Sequence, residues 1–315
     1  MAKAIVARIQ GDDYQARWFW HEVCRLFLDQ TRVERVVYED ENIKSLDDVV
    51  VYYRDGMIDE YGQSLRADYY QVKFHVTAAG GFTWQGMMDP AFINATSVSL
   101  LERLRNAQQQ HAPEGIGCRF ILFSPWLPDP KDPLAELVSL TDGHIEWSKL
   151  AVGGSRSITG VIRTAWREHL KLSTDEELQR VLSPLRIERG PTLAKLRGDL
   201  NYALQAAGLQ PVAEGCLVHP YDDLTQKLLQ QGQTSFRRAD IERICRHEGL
   251  WRDQGFFMPG DVHIGIRSFM RWAEHLEDET NKLLSLVPYF EGRYIRSEDL
   301  WRIIIFPELN TFAKN

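Results

Sequence analysis

Alternation of apolar and polar residues is clearest over residues 68–76. There Tyr69, Gln71, Lys73 and His75 fall on one side of an extended chain, and Tyr70, Val72, Phe74 and Val76 on the other. The pattern predicts a strand with a polar face on an apolar back. Two β-branched runs, 33–39 and 48–53, predict strands ahead of it, with Asp55-Gly56 as the turn before the third. Upstream, Gly11-Asp12-Asp13 reads as a helix start, with Asp12 or Asp13 capping free N–H groups and an apolar helix over 14–28. Downstream, Gly80, Gly81 and Gly86 lead to a helix over 95–110, striped by Val98, Leu100, Leu101 and Leu104. A buried strand over 118–124 follows. The predicted order is helix, three strands, helix, strand.

Prolines crowd residues 125–133, where neither a central strand nor a helix interior can continue, so a boundary is expected there. Helical periodicity dominates beyond it, over 157–170, 175–182, 192–207 and 221–231. A turn at Gln231-Gly232-Gln233 then precedes a helix over 237–247, capped by Thr234 or Ser235, and a last amphipathic helix is expected over 264–286. Three regions result: a core over 1–130, a helical region over 131–260 with helix-turn-helix character, and a helical connector over 261–315.

Composition is that of an ordinary folded protein, with 44% apolar and 26% charged residues in 315. No run of 18 apolar residues occurs and charges interrupt the first apolar stretch, which points to a soluble, cytoplasmic protein with no membrane association. The four cysteines, Cys24, Cys118, Cys216 and Cys245, are widely spaced without a C-x-x-C pair, which disfavours a zinc ribbon or a disulfide framework. A formal charge of −7 does not favour binding to a polyanion, so any nucleic-acid surface has to be built from local basic clusters.

An acidic residue opening one strand and Gln-x-Lys on the next supply what a metal-dependent phosphodiesterase needs: a hard oxygen ligand, a second oxygen beside it and a cation next to the attacking water. Gln-x-Lys alone is a weak signal, about one chance occurrence in a chain of this length, and an exposed polar strand face would look the same. The element order strengthens it. Asp47 and Asp48 face opposite sides of their strand, so spacing leaves both open as the ligand, with Asp48 preferred. Glu39 and Glu22 are further carboxylates that could replace the charge a Gln lacks. His75 is a candidate general base. Arg237, Arg238, Arg243 and Arg246 form a basic segment that suits either DNA phosphates or a solvated helix face. Phe82 and Trp84 fit a groove wedge or a lid equally and receive no role.

The helix-strand order and the set Asp48, Gln71 and Lys73 resemble the PD-(D/E)xK, restriction-endonuclease-like superfamily, in which Gln replaces Glu in some members. Gly11-x-x-Tyr14-Gln15, Asp47-Asp48-Val49 and Tyr70-Gln71-Val72-Lys73 more specifically resemble the double-stranded DNA endonuclease domain of CBASS antiphage effectors, over about residues 8–125. The resemblance implies an α/β fold, a restriction-endonuclease-like αβββαβ core with a mainly α-helical C-terminal region. It implies Asp48 and Gln71 as metal ligands, Lys73 as the catalytic cation, and Mg²⁺ or Mn²⁺ as cofactor, and Glu39, at the end of the first strand, is the carboxylate expected to assist them. The implied function is a Mg²⁺-dependent endonuclease cutting double-stranded DNA in antiphage defence, active as a homo-oligomer or as a subunit of a defence complex. Residues 286–301 resemble the connector that precedes the SAVED sensor of that family, which binds a cyclic oligonucleotide; sensing is then expected from a domain after Asn315 or from a partner chain. The alternatives are an RNA or branched-DNA nuclease of the same fold, or a catalytically quiet assembly module.

Overall fold

The computed structural model describes residues 2–39, 48–55, 57–59, 61–74, 81–93, 95–213, 216 and 219–252. A six-stranded mixed sheet lies between two layers of helices, which is an α/β architecture with a nuclease-like core. Its strands are β1 (Val33–Tyr38), β2 (Val49–Tyr53), β3 (Ala67–Val72), β4 (Cys118–Ser124), β5 (Leu185–Arg189) and β6 (Ser235–Phe236), in the spatial order β5-β4-β3-β2-β1-β6. The first three strands run antiparallel to one another, β4 and β5 join as parallel strands, and β6 adds antiparallel to β1.

One helical layer holds α1 (Ala2–Cys24); the other holds α2 (Leu100–His111), followed by short α3 (Leu134–Leu137) and α4 (Trp147–Leu150), then α5 (Ile158–Leu170) and α6 (Asp175–Leu182). The chain returns to the first layer with α7 (Leu193–Ala206), α8 (Pro220–Gln230) and α9 (Arg238–His247). Tyr14, Phe19, Trp20 and Val23 of α1 pack there against Tyr70 and Val72 of β3 and against Leu196, Leu200 and Tyr221 of α7 and α8. The Trp20 indole N–H donates to the Tyr221 carbonyl at 2.9 Å and to Thr225 Oγ1 at 2.8 Å, and a buried Arg17–Asp222 pair at 2.7 Å joins α1 to α8. On the opposite face Ala67, Tyr69, Phe120 and Leu122 meet Leu100, Leu101 and Leu104 of α2.

Several expectations change. The polar side of β3 is not a solvated face: every residue of the strand is buried, because α2 covers that side too. Helix α1 does not start at Asp12 or Asp13 but runs through Gly11. Helix α2 starts at Leu100 because Ser99 and Glu102 close a reciprocal capping box. Helix α9 is capped through Arg237 and Asp240, while Ser235 belongs to β6. Two strands, β5 and β6, come from beyond the boundary expected near residue 130 and complete the same sheet. Spatial contacts divide the chain into units Met1–Trp251 and Arg252–Asn315. The helix expected over 264–286 and the connector over 286–301 lie outside the described residues, as do Asp47 and His75. None of the four cysteines is in a disulfide bond. No described helix is long and apolar enough to cross a membrane.

Candidate functional site

Sheet register brings Asp48, Gln71 and Lys73 together. Val49 pairs with Tyr70, so Asp48, one residue before β2, lies beside Gln71 in the antiparallel neighbour. Asp48 Oδ2 accepts hydrogen bonds from the Gln71 side-chain amide and, at 2.7 Å, from the Val72 backbone N–H. Lys73 continues the β3–β4 ladder by donating its backbone N–H to Phe123 O at 2.8 Å. Two residues on from Gln71, its side chain leaves the strand on the same face. Its ammonium has no ion-pair partner among the described residues, and its charge pulls the Asp48 proton affinity down.

Burial nonetheless wins at Asp48, pushing its carboxyl above the ordinary value against the opposing pulls of Lys73, the Val72 N–H and Gln71. Glu39 stands at the end of β1, where its backbone N–H donates to Asp48 O at 3.1 Å and its carboxylate accepts from Gln15 of α1 at 3.3 Å. Its φ of 49° is left-handed, a conformation that costs a non-glycine residue about 1–2 kcal/mol. Such strain persists where the surroundings hold the residue in place, and functional sites are the usual setting. Burial first, then the nearby Asp48 charge, raises the Glu39 carboxyl as well.

These donors suit a hard divalent cation. Two carboxylates, Asp48 and Glu39, and the amide oxygens of Gln71 and Gln15 are all oxygen ligands of the kind Mg²⁺ and Mn²⁺ take. Both carboxylates pay for being charged at this spot, and a cation would remove that penalty. Among the described residues no group of three or more His, Cys, Asp or Glu gathers around one point, so the amides would have to complete the set. One consequence can be measured. Asp48→Asn keeps an oxygen facing Gln71 and Val72 but removes a carboxylate whose proton affinity folding raises. Ionising that group in the folded state opposes stability above the unfolded carboxylate range, so the variant is expected to melt higher than the parent at neutral pH in EDTA, with no gain at acid pH. Equal melting temperatures at neutral pH would show that Asp48 ionises there without penalty.

The other candidates lie elsewhere. Glu22 is buried on the α1 side in an ion pair with Arg25; burial would raise its carboxyl, but Arg25 and His21 more than offset this and hold it below the usual range. It joins a network around Asp68, not the Asp48 site, because α1 approaches the opposite face of β3. Phe82 is a core residue, and Trp84 packs beside it with its carbonyl accepting from the Trp166 indole at 3.0 Å. Arg237 follows β6, three residues back along β1 from the Glu39 end, and pairs with Glu34 at 2.8 Å. Arg243 and Arg246 pair with Asp240 and Glu242 at 3.6 Å and 3.0 Å, while Arg238 lies over the Phe27 ring at 5.3 Å. That face is exposed yet partly neutralised. Sequence reasoning missed Arg103 of α2, whose Nη1 lies 3.5 Å from Gln71 Oε1.

A six-stranded α/β sheet with Asp48, Gln71, Lys73 and Glu39 gathered at one end is consistent with a nuclease-like core. A comparison with protein-family models gives no match. Among curated proteins the chain is similar to the CD-NTase-associated protein 4 of Enterobacter hormaechei subsp. hoffmannii (strain UCI 50), with 36% identity over 317 residues. The alignment covers 99% of this chain and 62% of that protein, so the chain spans less than two thirds of its relative's length.

Proposed function

We propose that this chain is a Mg²⁺-dependent endonuclease that cuts double-stranded DNA in antiphage defence and works alongside a CD-NTase, as the name of its relative suggests. The observation that carries the reading is the meeting of Asp48, Gln71 and Lys73 at the ends of adjacent strands, with Glu39 held beside them. Asp48 and Glu39 would hold the ion. The Gln71 amide now points its NH₂ at Asp48, and a half-turn about its last bond would present the oxygen instead. When bound, the ion supplies charge neutralisation at the phosphate and a lower pKa for water. Lys73, next to Asp48 and without an ion-pair partner among the described residues, orients that water for attack on phosphorus. A water oxygen–phosphorus bond forms, one phosphorus–oxygen ester bond breaks, the water's proton passes to solvent and the departing oxygen gains one.

A single constellation cuts a single strand, so breaking a duplex calls for two copies facing the two strands, which is the simplest role for assembly. The exposed Arg237 and Arg243 are candidate phosphate contacts within such an assembly, weakened by Glu34 and Asp240. The test is a concentration series of the protein on supercoiled plasmid, linear duplex, single-stranded DNA and RNA, with Mg²⁺ or EDTA. Mg²⁺-dependent loss of plasmid and duplex, stopped by EDTA and steeper than linear in protein, is expected. Intact duplex at every concentration, or cleavage of RNA alone, would overturn the reading.

A further inference from the structure

We infer that Arg103 is a further catalytic residue, a guanidinium that grips the scissile phosphate beside Lys73; this rests on the nuclease reading above. Its position is built into α2. The capping box between Ser99 and Glu102 fixes the first helical turn, and Leu100, Leu101 and Leu104 anchor that turn in the core under the sheet. Arg103 lies on the flank of this apolar stripe, half-buried, and reaches over the end of β3 to Gln71.

At 3.5 Å its contact with Gln71 is too long to be a strong hydrogen bond, and the guanidinium has no carboxylate partner among the described residues. Arg17, Arg25 and Arg119, by contrast, are each paired with a buried acid, namely Asp222, Glu22 and Asp68. A half-buried guanidinium with donors left over, held 3.5 Å from a candidate metal ligand, is suited to receive an anion.

The surroundings set the direction from which that anion comes. On the α1 side Glu39 borders a cleft of about 400 Å³ between α1 and α8, walled also by Asp12, Asp13 and Asp222. A polyanion is repelled there and meets the site from the α2 side, where Arg103 and Lys73 stand. Negative charge grows on the non-bridging phosphate oxygens as water attacks, and a planar fork can bond two of them at once. Lys73 is then left to the water.

The experiment uses the full chain, with the parent and Lys73→Ala run alongside Arg103→Ala and Arg103→Lys. In Arg103→Ala, kcat for duplex cleavage is expected to fall by about 10²–10³-fold with KM little changed, as for loss of one transition-state donor. Lysine should restore part of the rate, as should guanidinium added in solution to the alanine variant. Metal affinity measured by calorimetry without DNA is expected to stay the same or tighten, since a positive charge beside Asp48 has been removed. Parental kcat in Arg103→Ala, or weaker metal binding with cleavage recovered at high Mg²⁺, would overturn the assignment; the second result would leave Arg103 merely positioning Gln71. A parent that does not cut would sink the nuclease reading itself, and a fully active Lys73→Ala would move the chemistry away from this site and overturn the Arg103 assignment with it.

Discussion

Lys73→Ala is expected to lose about 10³-fold in cleavage while its circular dichroism and melting temperature stay at the parental values. The loss follows from chemistry: a positioned acid–base or charge-stabilising side chain contributes about 10²–10⁴-fold. The unchanged fold follows from geometry. Lys73 is anchored through its backbone N–H to Phe123, so the strand ladder survives truncation, and its side chain has no ion pair to lose among the described residues. Its charge also lowers the proton affinity of Asp48, so removing it should lift the Asp48 carboxyl further. Raising Mg²⁺ should therefore not recover the lost rate. Full activity in the alanine variant at any Mg²⁺ concentration would remove Lys73 from the chemistry.

The parts of this site that could be read in the sequence share one physical property. Asp48, Gln71 and Lys73 lie on consecutive antiparallel strands, so a strand-period reading of two short segments already brings them to one edge. Glu39 could be named only as a candidate, because residues 40–47 separate it from Asp48 and local periodicity does not specify how they return. Gln15 and Arg103 reach the site from helices that cross the sheet on opposite sides, and no spacing rule connects a helix residue with a strand residue that far away. The Ser99-x-x-Glu102 capping signal is present in the sequence and sets the start of α2, and hence the face on which Arg103 lies.

The fold shows the same division. Long amphipathic helices such as α5 and α6 fall where their 3.6-residue pattern puts them. Strand β5 alternates Leu185 and Ile187 with Arg186 and Glu188, a signal overshadowed by helical patterns on both sides. Strand β6, two residues long, has no period to read and exists only because Phe236 and Ser235 meet the edge of β1. The alternation on β3 divides its residues between two faces, but it carries no information on whether a helix covers the polar side.

The other face of β3, the one that α1 covers, holds the residue whose loss should hurt the fold most. Asp68→Ala is expected to cost about 3–5 kcal/mol, the penalty for breaking a buried ion pair by removing one partner. Asp68 is fully buried and accepts from Arg119 Nε at 2.7 Å, Arg119 Nη2 at 2.6 Å and the Tyr53 hydroxyl at 2.6 Å. Alanine leaves a guanidinium and a phenol facing a space that Asp68 filled, in a domain whose whole stability is about 5–15 kcal/mol. A second group gives the prediction a pH signature. Burial first, then the Asp68 charge, pushes the neighbouring Glu188 carboxyl up to about 7. Above that pH an ionised Glu188 opposes Asp68 in the parent, and removing Asp68 relieves it. Below it Glu188 is protonated and there is nothing to relieve. The stability lost in Asp68→Ala should therefore be larger near pH 5 than near pH 8, read as the difference in urea-unfolding free energy from the parent at each pH. Glu188→Gln should show the complementary behaviour, more stable than the parent near pH 8 and equal to it at pH values below the unfolded carboxylate range. A loss under about 1 kcal/mol in Asp68→Ala, or a loss that grows as pH rises, would show that the Asp68–Arg119 pair does not hold the two central strands in the way this geometry requires.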